Sequence, residues 1–142
     1  MKYLSYLYIL FLFFIPGCVG PQDYNDGLLE NTPAVVNEKD YFSLSIFGDK
    51  YTEKLEWDLL FDSNLTASFL TTLVSKDVSN SLTDSTSLFL INELGDTVFN
   101  ALIMNEIIFT SLDSLNFIGT PSKVIFESDN FSGRIEYQII IN

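Results

Sequence analysis

From residue 41 onward, hydrophobic and polar residues alternate along the chain with a period of two. The clearest alternations cover residues 42–46, 55–61 and 135–141, and serine, lysine, arginine or acidic residues fill most of the intervening positions. This period is typical of β-strands that bury one face and expose the other. We therefore predict three strands here, each with an apolar face turned towards a core.

Further short apolar runs follow one another between groups of turn-forming residues. The runs cover residues 65–75, 87–94, 97–104, 106–110, 114–118 and 123–127, and the turn formers include Gly48-Asp49, Asp62-Ser63-Asn64, Gly95-Asp96, Gly119-Thr120-Pro121 and Asp129-Asn130. Many short strands separated by regularly spaced turns predict an all-β fold, a single antiparallel β-sandwich of jelly-roll or Ig-like type. A helical turn is expected only within residues 99–106.

The first residues have the three-part layout of a secretory signal. Lys2 is followed by an apolar run over residues 3–15 and then by Pro16-Gly17-Cys18. The run is too short for a transmembrane helix, which needs about 20 residues. Residues 19–39 are rich in Gly, Pro and polar residues, which favours a flexible linker. The expected organisation is a signal peptide over residues 1–17, a tether over 18–40 and a β-sandwich domain over 41–142.

The segment Ile15-Pro16-Gly17-Cys18 resembles the lipobox of bacterial lipoproteins, although Pro16 departs from the small residue usual at its position. The resemblance implies cleavage before Cys18 and attachment of lipid, including palmitate, to its thiol. It also implies a location in the bacterial cell envelope, at the outer membrane rather than the inner. An ordinary signal peptide with an unrelated cysteine, or an uncleaved N-terminal anchor, are the alternatives.

Charge and residue usage exclude several function classes. The formal net charge of -12 would repel phosphate backbones and anionic headgroups, so we expect no nucleic-acid partner. Histidine is absent and Cys18 is the only cysteine, which excludes a Ser-His-Asp triad, a Cys-His pair and a zinc site of the usual type. We expect that the protein is not an enzyme, because no convergent catalytic set is visible.

Residues 47–142 also resemble a CUB domain, a two-sheet β-sandwich of secreted proteins. The matching features are Tyr51 followed by Trp57, the strand Leu88-Phe89-Leu90 followed by Gly95, the segment Phe126-Glu127-Ser128-Asp129, and Gly133 in the last strand. The four cysteines usual in that family are missing. The resemblance implies a CUB-like sandwich and places Asp129 on a position that can bind Ca²⁺ there.

Three sets of residues are candidates for sites. Asp129 and Glu127, with Asp84 from another turn, have the oxygen ligands that Ca²⁺ prefers, although solvated turns are rich in the same residues. Tyr41, Phe47, Tyr51 and Phe131 lie near predicted strand ends and could form a stacking platform for a glycan or protein. Ser85, Thr97 and Ser114 each follow an aspartate and look like acceptor sites that some Bacteroidetes use for O-glycosylation.

These observations together predict a lipid-anchored envelope lipoprotein with a non-enzymatic binding or accessory domain. Its partners would be membrane lipid, through Cys18, and a protein or glycan. The alternative is a structural envelope subunit that pairs through a sheet edge with a partner chain, for which residues 137–141, apolar on both faces at Ile139-Ile140-Ile141, are the expected edge.

Overall fold

A computed structural model describes residues 27–61, 68–79 and 85–141, and this part of the chain is almost entirely β-strand. The strands are β1 (Ala34–Asn37), β2 (Tyr41–Asp58), β3 (Ser68–Lys76), β4 (Thr86–Asn92), β5 (Thr97–Leu102), β6 (Ile107–Ser114) and β7 (Pro121–Ile141), and one short helix, α1 (Leu115–Ile118), lies between β6 and β7. All strand pairs are antiparallel. The predicted all-β, sandwich-like fold is confirmed.

The long strands β2 and β7 pair with each other along nearly their whole lengths and bend together midway. The bend falls where Gly48 faces Gly133, and the pairing register shifts between Gly48 and Tyr51. A Cβ atom on Gly48 would lie 2.7 Å from Cδ1 of Phe131, and Gly133 has a φ of 146°. Only glycine fits comfortably at such positions, so the two glycines allow the strands to approach closely and turn.

Because of this bend the sheet folds over into two layers. The first layer has the strand order β1-β2-β7-β3-β6, and the second contains the other halves of β2 and β7 followed by β4 and β5. Phe42 and Trp57 come from opposite ends of β2, yet their ring centroids are 6.2 Å apart, so the layers face each other. The core between them contains Phe42, Leu44, Ile46, Phe69, Leu73, Leu88, Leu90, Val124, Phe126, Phe131, Ile135, Tyr137 and Ile139.

The strand alternations predicted from the sequence are confirmed on β2 and β7. Phe42, Leu44 and Ile46 are buried while the serines between them are not, and on the other half of β2 the residues Lys54, Glu56 and Asp58 face outward. This burial pattern is the one expected for strands with one face on a core.

Four sequence predictions need correction. β1 lies inside the predicted tether, and the Asn31 side chain donates to the Asp49 carbonyl and accepts from the Asp49 N–H, so residues 31–37 are joined to the sandwich. Gly48-Asp49 and Asp129-Asn130 lie within β2 and β7 instead of between strands. The helix α1 covers Leu115–Ile118, after β6 ends, whereas residues 99–102, where a helical turn is expected from the sequence, belong to β5. The stretch 137–141 pairs on both sides, with β2 and with β3, so it is central and not an edge.

Within the described ranges, no helix is long and apolar enough to cross a membrane.

Candidate interaction surface

Exposed hydrophobic side chains are concentrated on one side of the sandwich. In the described part of the chain eleven large hydrophobic side chains are exposed, and seven of them fall within residues 94–117: Leu94, Leu102, Met104, Ile108, Phe109, Leu112 and Phe117. This stretch comprises the β4–β5 turn, β5, the β5–β6 connection, β6 and α1. We call this side of the molecule the open side. Apolar surface concentrated in this way often marks an interaction site.

Among the described strands, the two that form the open side each have a neighbour on one side only. β5 pairs with β4, and β6 pairs with β3, but no ladder joins β5 to β6. Edge strands present unpaired backbone N–H and C=O groups every second residue. Both layers therefore end here in strands that retain hydrogen-bonding capacity.

Aromatic side chains fill the gap between these two edges. The ring of Phe99 on β5 lies 5.1 Å from that of Phe109 on β6, and 5.9 Å from that of the buried Tyr137 beneath them, centroid to centroid. Burial raises the pKa of the Tyr137 hydroxyl and outweighs the opposing effect of the Thr71 hydroxyl. Packed aromatic rings thus support the two edges from the core side.

The outer face beside β6 is apolar as well. Leu112 lies opposite Leu70 on β3, which lies opposite Ile140 on β7, which in turn lies opposite Tyr41 on β2. Cross-strand neighbours on one face are in contact distance, so these four side chains form a row across the first layer. The exposed fraction rises along the row, from half-buried in its interior to 66% at Leu112. The row therefore opens towards β6.

At one end of the open side, a groove of about 610 Å³ separates the β4–β5 turn from α1. The side chains of Leu94 and Phe117, which are 77% and 90% exposed, line this groove. The buried Asn92 fixes their positions: its amide nitrogen donates to the Ile118 carbonyl at 2.8 Å, and its amide oxygen accepts from the backbone N–H groups of Leu94 and Asp96. Turn and helix are therefore held together as one unit.

At the other end, Ser75 connects β3 to the β5–β6 connection. Its hydroxyl donates to the Asn105 carbonyl and accepts from the Ile107 N–H, both at 2.9 Å. The Ile103 N–H donates to the Thr86 carbonyl at 2.7 Å. The buried polar side chains of Asn92 and Ser75 thus fix the two ends of the open side through hydrogen bonds within the protein.

Most charges around the open side are negative. Glu93 and Asp96 border the groove, Glu106 precedes β6, and Asp113 lies near the end of that strand. No lysine or arginine occurs in the sequence between Lys76 and Lys123. The exposed apolar side chains are accordingly bordered mainly by carboxylates, and Lys76 of β3 lies beside Glu106 and Ile108 at the start of β6.

The four aromatic residues predicted as a binding platform are divided between the core and the outer face. Phe131 is fully buried and Tyr51 is 8% exposed, and the two lie opposite each other at the bend. Burial, followed by the charge of Glu53, raises the pKa of Tyr51. Tyr41 and Phe47 lie on the outer face of the first layer, where the Arg134 guanidinium covers the Phe47 ring at 5.4 Å. The prediction of one exposed platform is therefore wrong in its geometry; of the four, Tyr41 belongs to the apolar row.

The residues predicted to bind Ca²⁺ are only partly within the described ranges. Glu127 and Asp129 line a shallow, open depression of about 330 Å³, and Asp84 lies outside the described residues. The Glu127 carboxylate lies 2.5 Å from the ammonium of Lys54, which raises the pKa of that lysine. In the ranges that the structure covers, no group of three or more potential metal ligands occurs. Calcium binding stays a prediction.

A calcium titration of the unmodified protein and of Lys54→Met tests that prediction. If Glu127, Asp129 and Asp84 bind Ca²⁺, the cation must displace the Lys54 ammonium, so we expect the Lys54→Met variant to bind more tightly. Isothermal titration calorimetry and the shift in melting temperature measure the difference. A Lys39→Met variant is the matched control. Absence of heat and of a temperature shift in all three proteins would contradict the calcium site.

Across the residues that the structure describes, the outer face of the second layer and the predicted glycosylation sites show no further site. Glu56 and Asp58 both form ion pairs with Lys123, at 3.3 and 3.6 Å, on the charged outer face of the second layer. Ser85 and Thr97 are exposed, whereas Ser114 is half-buried at the end of β6. Glycosylation of these three residues stays a prediction.

No protein-family model matches the chain, so the CUB-like resemblance is not shown. No curated protein sequence matches it either.

Solved structures with similar strand arrangements exist at low sequence identity. A disulfide-linked pilus protein of Bacillus endospore appendages is 8% identical, with 78% of this chain and 90% of that chain covered and a TM-score of 0.42. A chain of the accessory secretory protein 1, 2 and 3 structure of Streptococcus pneumoniae is 14% identical, with 78% and 85% covered and a TM-score of 0.36. A chain from a structure described as CBM4 is 11% identical, with 78% of each chain covered and a TM-score of 0.33. At these TM-scores the strands do not superpose closely enough to transfer a site.

Proposed function

We propose that this protein is a lipid-anchored, non-enzymatic binding subunit of the bacterial cell envelope that holds a protein partner on its open side. The observation that carries the proposal is the concentration of exposed hydrophobic side chains on residues 94–117, beside two edge strands. The lipobox-like Ile15-Pro16-Gly17-Cys18 supports the anchor. A protein suits this surface better than a glycan, because the apolar residues are mostly aliphatic and lie along strand edges.

The anchor and the open side have complementary roles in this proposal. Acyl chains on Cys18 would keep the domain at a membrane surface, since each buried methylene contributes about 0.8 kcal/mol and two or three chains anchor stably. Confinement to that surface raises the local concentration of the domain near a partner in the same compartment. A modest affinity at the open side is then sufficient for stable association.

An affinity purification from the native envelope in mild detergent, comparing the unmodified protein with Ile108→Lys, tests the open side. Ile108 is 84% exposed on an edge strand, so we expect folding to be unchanged within about 0.5 kcal/mol. Loss of an apolar contact and insertion of a charge should reduce partner recovery about tenfold or more, which corresponds to about 1.4 kcal/mol. Quantitative mass spectrometry of the co-purified proteins measures this.

Leu60→Lys is the matched control for that purification. Leu60 is also exposed, at 60%, follows β2 far from β6 in the chain, and its substitution adds the same charge to the acidic protein. Its partners should be recovered as with the unmodified protein. Equal recovery with Ile108→Lys would show that the open side is not the binding surface.

The unpaired edge of β6 also favours a second candidate function, a structural subunit built into an envelope assembly. In that case the chain and its partner would co-purify at fixed stoichiometry and resist dissociation by dilution. The same purification distinguishes the two roles, because an accessory subunit would be recovered in variable, substoichiometric amounts.

A further inference from the structure

We propose that the partner binds by strand addition: a β-strand with apolar side chains on one face and lysine or arginine at its flanks pairs with the free edge of β6. This inference rests on the proposed function, and it specifies the chemistry of the partner and the mode of binding.

Over residues 107–112 the free edge of β6 lacks the features that usually prevent pairing, and Asp113, on the core-facing side opposite the buried Phe69, comes after them. Natural edge strands are protected by lysine, proline, a bulge or an inward-pointing charge. Between Ile107 and Leu112 the strand has no charged residue, proline or glycine, and its pairing with β3 has no register shift. Asp113, close to the end of the strand, is its only charge, and that carboxylate accepts a hydrogen bond from the Ser111 hydroxyl at 2.7 Å. Six successive residues therefore offer a regular, unprotected backbone edge.

The side chains of β6 specify apolar neighbours on the outer face. Ile108 and Leu112 lie on that face with Thr110 between them, opposite Val74, Leu70 and Thr72 of β3 respectively. A strand added to the edge would place its own outer side chains beside these residues, at a spacing of about 4.8 Å. Apolar side chains there would cover Ile108 and Leu112 and extend the apolar row by one strand. Period-two alternation is thus the pattern expected in the partner.

The charge around this edge favours a partner strand with basic residues at its two ends. Glu106 lies just before β6, where its carboxylate accepts a hydrogen bond from the Asp77 N–H and lies in the same depression as Lys76. Asp113 lies near the end of the strand, and residues 77–122 contain no lysine or arginine, so the surroundings of the free edge are acidic on balance. Lysine or arginine at the ends of the added strand would be attracted to this acidic surface, because complementary charges on two surfaces favour their association. A second copy of this chain would instead bring the same carboxylates together, on two proteins that each have a formal net charge of -12. The edge consequently favours a basic partner over self-association.

Two synthetic peptides provide the direct test with the full chain in detergent. Each has a central segment as long as β6, eight residues, in which valine and threonine alternate. One peptide carries a lysine pair at each end and the other a glutamate pair. We expect the lysine peptide to bind at least tenfold more tightly than the glutamate peptide, and to slow hydrogen exchange of backbone amides in residues 107–112. Raising the salt concentration from about 0.05 M to about 0.5 M should reduce this preference, because salt screens exposed charges.

Two further probes separate strand addition from other modes of binding. A lysine peptide methylated on alternate backbone nitrogens cannot complete a ladder, so we expect it to lose binding although its charge and side chains are unchanged. Ile108→Glu and Ile108→Lys remove the same apolar side chain with opposite charges, so we expect the lysine peptide to bind Ile108→Lys more weakly than Ile108→Glu. Both variants occupy an exposed position, and their melting temperatures verify folding.

The outcomes distinguish this inference from the proposed function. Equal binding of the two unmodified peptides, retained binding of the methylated peptide, protection at β1 instead of β6, or no binding of the lysine peptide would each overturn strand addition by a basic segment. The proposed function would survive any of these results if Ile108→Lys still reduced partner recovery from the envelope. It fails only if that purification shows no difference between Ile108→Lys and the unmodified protein.

Discussion

Replacing Phe131 with alanine is expected to lower the free energy of unfolding by about 3–5 kcal/mol, because the deletion leaves a cavity at the bend of the fold. The Phe131 ring is fully buried, packs edge-on against Phe126 at 6.5 Å and lies directly below the backbone of Gly48. Neighbouring backbone cannot collapse into the space without disturbing the β2–β7 ladder. Since small domains have only about 5–15 kcal/mol of stability, much of the folded state would be lost at moderate temperature.

Phe47→Ala is the matched control for Phe131→Ala. Phe47 lies on the outer face under the Arg134 guanidinium, so its loss should cost only about 1 kcal/mol or less. Chemical denaturation followed by fluorescence of Trp57, the single tryptophan of the chain, measures both variants. If Phe131→Ala instead lowered stability only slightly and abolished binding of a glycan or protein, the result would contradict the position of Phe131 in the core. It would then support the prediction that Phe131 is a binding residue.

Replacing Cys18 with serine is expected to abolish lipid attachment and to move the protein from the membrane fraction to the soluble fraction. Cys18 is the only cysteine in the sequence, so no other thiol can form the thioether bond to the lipid, and serine cannot form it either. The effect should be nearly complete, because two or three acyl chains contribute about 0.8 kcal/mol for each buried methylene. Radiolabelled palmitate and membrane fractionation measure it.

Pro16→Ser is the control for the lipid experiment. It changes the same motif towards the usual small residue while leaving Cys18 intact, so labelling should persist or increase. Undiminished labelling of Cys18→Ser, or a mature chain that begins before residue 18, would contradict the lipid anchor.

The period-two pattern predicts the strands correctly because burial of one face is a local property of the sequence. It does not distinguish a turn between strands from a bend inside one. Asn130 and Lys50 have φ values of 57° and 53°, the left-handed conformation that turns use, but here they help β7 and β2 change direction. The sequence pattern does not predict β1, because the apolar segment Ala34-Val35-Val36 is short. This strand depends on its pairing with β2, which no local pattern encodes.

The open side was not recognised from the sequence for a related reason. Ile108 and Leu112 fall in an apolar run that resembles a buried strand, and only the strand order shows that β6 is the outermost strand of its layer in the part of the chain that the structure describes. A usable signal does exist in the sequence: the long interval between Lys76 and Lys123 lacks any basic residue, although it contains several exposed strands and turns. Conversely, the sequence predicts a turn beside Phe131 and therefore an exposed ring, whereas β7 continues through this position and the ring is buried.

The strand order of the first layer has a consequence for orientation at a membrane. β1, which follows the proposed anchor segment in the chain, and β6 are the two outermost described strands of the same layer, separated by four inter-strand steps of about 4.8 Å, or about 19 Å. If the proposed anchor holds the domain close to a bilayer, β1 would lie on the side nearer to the lipid and β6 on the side away from it. The lipid anchor and the binding edge would then lie at opposite sides of the layer. The edge of β6 would face the aqueous compartment, where water-soluble chains diffuse.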